Sequence, residues 1–403
     1  MGGLSAGIAF EHACIPYGFA WTSPFARWQG PFAELSSLDL AVAVTSRALR
    51  DRQLPPDEIA EIVLGMTVPQ PEAFYGAPTV AARIGAPAVT GPMIAQACAT
   101  SVACLRAAAS NVEAGQDGLT LVCLTDRTSN GPHLVFPTPS APGGTPSAED
   151  WVMANFRRDP WAGNAMIETA DRVAAEHDIS RAEIDALTLL RYEQYVQGAL
   201  ADERAFQRTF MVPVELSGGK ASLVEGDVGV HETTVEGLAR LQPVLEGGRT
   251  TFGSQTHPAD GAAGMIVTNE ARARELARDG VVRILAVGFA RVGKGLMPTA
   301  PVPAANAALK AAHIRLADVE AVTTHNPFAI NDVYFARETG FPLERMNQFG
   351  SSLVYGHPNA PTGARLIVEL IQNLRRRGGG VGLFTGCAAG DTGAAVVVQL
   401  DDG

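Results

Sequence analysis

Cysteine is scarce in this sequence. Five occur, Cys14, Cys98, Cys104, Cys123 and Cys387, an odd number with no Cys-x-x-Cys pair. A disulfide framework and a structural zinc site are both excluded on that count. Long apolar runs are missing too: no stretch reaches the ~18 residues that a membrane-spanning helix needs, so no membrane segment is expected. Basic residues are in deficit, with 31 Lys plus Arg against 42 Asp plus Glu, a formal charge of −11. That balance argues against a nucleic-acid binder, which would carry a basic patch. It does not exclude an anionic ligand held by a local site. The opening residues, MGGLSAGIAFEHACIPYG, lack a basic segment followed by a long apolar run. No secretory signal is expected, and a reducing cytoplasm is the default compartment.

What is present describes an ordered globular protein: 46% hydrophobic and 18% charged residues in 403. That length suits two or three domain-sized units. The 42 glycines and 26 prolines cluster at short points, as turns around a site would. Residues 37–52 have the apolar spacing of an amphipathic helix, and 60–65 read as a buried strand. A short strand is predicted at 91–97. A helix follows at once, with Val102, Leu105, Ala108, Ala109 and Val112 on one face and Gly115 as its stop. Residues 118–124 read as the next strand, so helix and strand alternate in the manner of an α/β protein. Residues 126–165 interrupt this with a Pro-, Gly- and Ser-rich excursion. Helices are predicted at 166–178 and 180–200, the second opened by the capping box Ser180 and Glu183, and 217–233 reads as loop. Strands resume at 260–269, 281–289 and 321–325. A helix is expected over 326–340 and another over 363–378, before two closing strands.

Several residues stand where chemistry is practicable. Cys98 lies between a strand and a helix, where backbone N–H groups and the helix dipole favour a thiolate, the form a cysteine nucleophile needs. The plainer alternative is a small packed residue, the commoner fate of cysteine; Cys104, inside the same helix, fits that better. His325 in TTHNPF and His357 in YGHPNAPTGAR each occupy a turn. There a histidine can polarise a carbonyl or move a proton, or simply cap a helix. Cys387 lies in FTGCAAGDTG, where glycines let backbone N–H groups approach a ligand or merely close a tight turn.

Taken together, these segments resemble the thiolases, the acyl-CoA C-acyltransferases, over nearly the whole length. QACATSVACLRAA is similar to the family's CASG nucleophile block. TTHNPFA is similar to the NEAFA or HDCF block, GHPNAPTGAR to GHPxGxSGAR, and GCAAGDTG to CxGGGxG. RTTFGSQTHPADGAA resembles TAGNxSxxNDGAA. The resemblance implies a thiolase-like fold: two similar βαβαβ-type halves in a layered α/β/α/β/α sandwich with a loop-domain insertion. Residues 1–125 would form the first half, completed by 251–270. Residues 126–250 would be the insertion, and 271–403 the second half.

The same resemblance implies roles. Cys98 would carry the acyl group as a thioester. His357 would deprotonate it and later hold a thioester oxygen. Cys387 would be the acid/base at the α-carbon, and His325 would donate to the enolate oxygen. Backbone N–H groups of Cys98 and Ala389 would form an oxyanion hole. Thr256, Ser254 and Phe328 would bind substrate. Coenzyme A would be a substrate, with no cofactor and no metal. The reaction would be a reversible Claisen condensation that makes or cleaves a 3-ketoacyl-CoA.

This chain also departs from the family's blocks. His325 and Asn326 replace Asn and Glu, and Ser101 replaces the glycine of CASG. Ala360 and Pro361 replace a small, flexible pair, Asp391 enters the glycine run, and Thr256 replaces the serine that touches pantetheine. Val230, within DVGVHETTVEGLARL, stands where the family has an arginine near the adenine. These changes point to an acyl group other than the standard ones. Two other functions are compatible: a decarboxylating β-ketoacyl synthase-like enzyme using Cys98, His325 and His357, and a non-catalytic CoA-ester binder or subunit. A homodimer or homotetramer is implied, and the subgroup with histidine in the third block adds a small zinc-bearing partner.

Overall fold

The structure, a computed structural model, describes residues 5–129, 131–216, 222–277 and 279–401. Part of the predicted loop at 217–233 therefore lies outside the described residues.

Two segments of the chain repeat one pattern. In the first, the strand Ile59–Gly65 runs parallel to Leu119–Arg127, which pairs antiparallel with Ala259–Asn269. In the second, Ala321–His325 runs parallel to Gly380–Ala388, which pairs antiparallel with Thr392–Asp401. Each parallel pair needs a crossover, and each crossover contains a helix: Thr100–Glu113 in the first, Ala360–Arg376 in the second. Ala13–Pro16 pairs with both Ala259–Asn269 and Val281–Arg291, joining the two sets into a 12-stranded sheet system.

The two crossover helices pack on each other and on strands of both sets, so they form an inner layer. Residues 360–374 are buried without exception. Ser37–Asp51 and Gly76–Arg83 pack on the first set, and Pro301–Ala311 packs on the second. The result is the five-layered α/β arrangement of the thiolase fold. Apolar burial of this extent is the main favourable term in folding.

The local predictions hold where periodicity carries them. Ser37–Asp51 opens on the capping box Ser36/Asp39, the Asp39 N–H lying 3.0 Å from Ser36 Oγ. Differences arise elsewhere. The helix predicted over 326–340 begins only at Ala329, after the extended N-cap residue Phe328 at φ −128° and ψ 143°; it stops at Gly340, in the left-handed region at φ 71°. The helix predicted from 363 starts earlier, at Ala360, with Pro361 in its first turn. The run 180–200 is not one helix: Arg181–Gln194 passes into a π turn at Tyr195–Ala199. The excursion at 126–165 contains a hairpin, His133–Phe136 with Ser147–Asp150, and a helix, Trp151–Arg157. A second hairpin, Val214–Leu216 with Ser222–Val224, occupies part of the segment read as loop. All five cysteines are free. Among the described residues no helix is long and apolar enough to cross a membrane.

A buried cation joins the second crossover helix to the segment around 227. The Arg365 guanidinium meets Asp227 through two nitrogens at 3.1 and 3.0 Å and Glu369 at 2.6 Å, with all three side chains almost wholly buried. Phe25, Phe210 and Tyr355 rings face it at 5.3, 5.4 and 4.4 Å. Asp227 also accepts from the Phe25 N–H, the Tyr195 hydroxyl and Gln207 Nε2. Removing one partner of such a set strands the others without solvent. Asp227→Ala is therefore expected to lower stability by about 3–5 kcal/mol, read as an earlier midpoint in urea unfolding. A loss within the ~1 kcal/mol of an exposed ion pair would contradict this account.

Candidate functional site

The two crossover helices begin side by side, and their first turns carry the site. Cys98 stands two residues before Thr100–Glu113, and His357 three before Ala360–Arg376. Cys98 Sγ lies 3.0 Å from His357 Nε2. Non-glycine residues in the left-handed region flank both: Ala97 at φ 45° and Asn359 at φ 53°. Asp391, in the turn after Cys387, is a third at φ 57°. Such conformations store of the order of 1–3 kcal/mol each and cluster where side chains must be aimed.

His357 is fixed at both ends. Its Nδ1 lies 2.6 Å from Thr362 Oγ1, and its backbone N–H donates to the His257 carbonyl. With Nδ1–H donating to the hydroxyl, Nε2 is left to accept the thiol proton of Cys98. Burial lowers the imidazole pKa to about 3, so the ring is neutral. The direction at Cys98 differs from the sequence expectation. A helix start favours thiolate, yet burial outweighs it and raises the thiol pKa to about 11, despite backbone N–H groups of Ala389 and Cys98 that lower it. Thiol and imidazole are both uncharged at rest, poised for a proton transfer that leaves a thiolate.

Cys387 faces the same cavity as Cys98. Asn331 Nδ2 donates to its sulfur at 3.2 Å, while burial and the neighbouring Cys98 raise its pKa. His325 is close but not on the cavity wall. Its ring lies 4.2 Å from that of His357, its Nδ1 is 2.8 Å from Ser352 Oγ, and its Nε2 is buried with no partner among the described residues. Burial and His357 hold it well below the ordinary histidine pKa.

The cavity has a volume of about 550 Å³ and is lined by Cys98, His357, Cys387, Ala389, Phe328 and Thr256, with large apolar side chains. Cys98, His357, Cys387, Ala389, Phe328 and Thr256, six of the eight candidates, thus meet there. The Thr256 hydroxyl is occupied, donating to the Ser352 carbonyl at 2.5 Å. Ser254 stands apart: buried, outside the lining, its Oγ accepts from the Thr251 N–H at 2.9 Å. Val230 lines a separate cavity of about 340 Å³ with Tyr195, Leu200 and Arg204. Cys98, His325 and His357 each offer one ligand atom within 4.8 Å of the others, the only such trio of metal-capable groups among the described residues.

Sequence reasoning missed the groups that hold this set in place. Asp126 accepts from the Thr67 and Val68 N–H groups and from the Ala360 N–H that opens the second helix, at 2.9 Å each. Asp332 binds Arg191 Nε at 2.8 Å and Asn326 Nδ2 at 2.7 Å. Neither carboxylate lies in a motif. Asp126 falls at the start of the predicted excursion and Asp332 within the helix predicted over 326–340, and neither position carries a local signal of burial.

A cysteine–histidine pair at the start of a buried helix, open to an apolar cavity in this five-layered fold, defines an acyltransferase of the thiolase type. The chain belongs to the thiolase family. The family description "Thiolase, N-terminal domain" matches residues 19–271 and "Thiolase, C-terminal domain" matches 279–400. A 3-ketoacyl-CoA thiolase of Pseudoalteromonas translucida is 30% identical, covering 94% of each chain. An acetyl-CoA acetyltransferase of Syntrophomonas wolfei is 26% identical, covering 94% of this chain and 97% of its own. The crystal structure of the Bacillus anthracis acetyl-CoA acetyltransferase superposes with a TM-score of 0.89 at 25% identity, over 98% of this chain and 100% of that one. Human mitochondrial 3-ketoacyl-CoA thiolase in complex with CoA has the same fold, with a TM-score of 0.89 at 24% identity over 98% and 99% of the two chains.

The proton states make a pH prediction. With His357 in place, iodoacetamide alkylation of Cys98 should proceed at neutral pH through transfer to Nε2. In His357→Gln the thiol keeps its burial and loses its acceptor. Its alkylation rate should then be low at pH 7 and climb with pH towards about 11. Identical pH profiles for the two proteins would refute the pairing.

Proposed function

We propose that this acyl-CoA C-acyltransferase makes or cleaves a 3-ketoacyl-CoA through a thioester on Cys98. The 3.0 Å contact between Cys98 Sγ and His357 Nε2 carries the reading. In cleavage, His357 takes the Cys98 proton and the thiolate adds to the keto carbon. The bond between that carbon and the α-carbon breaks, leaving the acyl group on Cys98 and an enolate of the shorter CoA ester. Cys387 gives its proton to the α-carbon and becomes a thiolate. It regains a proton from the thiol of free CoA, whose sulfur then takes the acyl group from Cys98. Cys98 recovers its proton from His357. The covalent step divides one difficult reaction in two. The Ala389 N–H, already directed at the Cys98 sulfur, is placed to stabilise charge on the acyl oxygen.

The acyl group is proposed to be other than acetyl. Met153, Phe156, Met166, Ile167 and Met297 wall an apolar volume that a two-carbon group would leave largely empty. A homodimer is proposed through the edge strand Met93–Ile94, beside which Phe74 and Tyr75 are 86% and 69% exposed. One observation favours a second reading, decarboxylating condensation: the two imidazoles lie 4.2 Å apart beside the Cys98 thiol.

Intact-protein mass spectrometry after exposure to a panel of acyl-CoAs separates these readings. A mass gain on the Cys98 peptide is expected, absent in Cys98→Ala. Cys387→Ala should keep that gain while losing ~10²–10⁴-fold in condensation and cleavage. Full turnover by Cys387→Ala together with malonyl-CoA decarboxylation would install the second reading. No gain with any donor would leave a CoA-ester binder.

A further inference from the structure

We propose that Ser352 is a positioning residue that sets the tautomer of His325, making its Nε2–H a donor to the bound thioester. This rests on the acyl-transfer reading above. The hydrogen-bond inventory around Ser352 leaves its hydroxyl proton two destinations. Ser352 Oγ is 2.8 Å from His325 Nδ1 and 3.3 Å from Asn326 Oδ1. Asn326 Oδ1 already accepts from the Leu353 N–H at 3.3 Å, and Asn326 Nδ2 is held by Asp332 at 2.7 Å. The Asn326 backbone N–H donates to Ser352 Oγ at 3.3 Å, supplying the oxygen with a donor from another side. The shorter contact directs the hydroxyl proton to Nδ1. An imidazole that accepts at Nδ1 carries its own proton at Nε2.

That Nε2–H is wholly buried and has no partner among the described residues. An orphaned buried donor is costly, so it persists where a ligand completes it. The His325 ring lies beside that of His357, and both rings supply a nitrogen within 4.8 Å of a trio that includes the Cys98 sulfur. A thioester oxygen brought to that sulfur is the acceptor in reach. With Nε2 protonated, His325 has no lone pair at that nitrogen for a metal ion, so the Cys98–His325–His357 trio acts on a carbonyl rather than on a cation. Asp332, buried and paired with Arg191, anchors Asn326 through its Nδ2, with Asn326 Oδ1 at the longer 3.3 Å from Ser352 Oγ.

The test compares wild type, Ser352→Ala and Ser352→Thr. Imidazole ¹⁵N NMR of histidine-labelled protein, with His325→Gln to assign the resonance, should find His325 as the Nε2–H form in wild type and Ser352→Thr. It should find loss of that preference in Ser352→Ala. Exchange of the α-hydrogens of acetyl-CoA with D₂O should fall at least ~10-fold in Ser352→Ala and return in Ser352→Thr, while Cys98 acylation stays within about twofold. Three results would overturn the proposal: an Nδ1–H form in wild type, unchanged exchange in Ser352→Ala, or exchange and acylation falling together. The NMR arm reads the tautomer whether or not the protein turns over. A failure of acyl transfer is thereby distinguishable from a failure of the Ser352 assignment.

Discussion

The site depends on one close crossing, where the helix Thr100–Glu113 meets the helix Ala360–Arg376. Ser101 Oγ donates to the Ala360 carbonyl at 2.5 Å and accepts from the Ala364 N–H at 2.8 Å, stitching the two first turns together. The approach is close enough that a Cβ on Gly363 would sit 3.0 Å from Ser101 Cβ. Cys98 and His357, 259 positions apart, reach 3.0 Å because each directly precedes one of these helices. Ser101 is thus an inter-helix clamp.

Much of the fold was legible in the sequence, and particular residues show why. Apolar spacing at Val102, Leu105, Ala108 and Val112 records one buried face, so the helix and its neighbouring strands follow from local pattern. Cys98 and His357 were legible as candidates because they sit in turns between such elements, and Cys387, near the end of the strand Gly380–Ala388, because glycines surround it. Polar pairing across the fold leaves no periodic trace. Ser352, Asn331 and Asp332 meet His325, Cys387 and Arg191 only through the packing of distant segments, and nothing in their own neighbourhoods marks them. The same limit explains the Cys98 thiol. A helix end is a local signal favouring thiolate, whereas the desolvation that prevails comes from the assembled core. Ser254 is the converse case: a residue inside a recognisable block whose hydroxyl turns to Thr251 and away from the cavity.

His325 and Asn326 illustrate how a polar pair is accommodated in the core. A buried imidazole has a second nitrogen that needs a partner. Ser352 supplies it, and Asn326 turns its own amide to Asp332, Leu353 and Ser352. Asp332 in turn neutralises Arg191, which arrives from the helix Arg181–Gln194 and also binds the Leu343 and Met346 carbonyls. The chain from Arg191 to His325 is continuous, so the segment between the strands Leu119–Arg127 and Ala259–Asn269 fixes the orientation of a ring next to the thiol.

The charge of −11 looks at first unfavourable for a ligand as anionic as coenzyme A. Its distribution resolves the difficulty. Among the described residues that line the 550 Å³ cavity there is no carboxylate, and Arg157 is the one full cation. The acidic excess lies outside the cavity lining, where it is screened over about 8–10 Å of salt solution. The buried carboxylates nearest the site are either neutralised by guanidinium groups, as at Asp332 and Asp227, or surrounded by N–H and O–H donors, as at Asp126. An arriving thioester therefore meets donors and neutral rings. Net charge governs how the protein behaves in solution; the local absence of carboxylates governs what can enter the cavity.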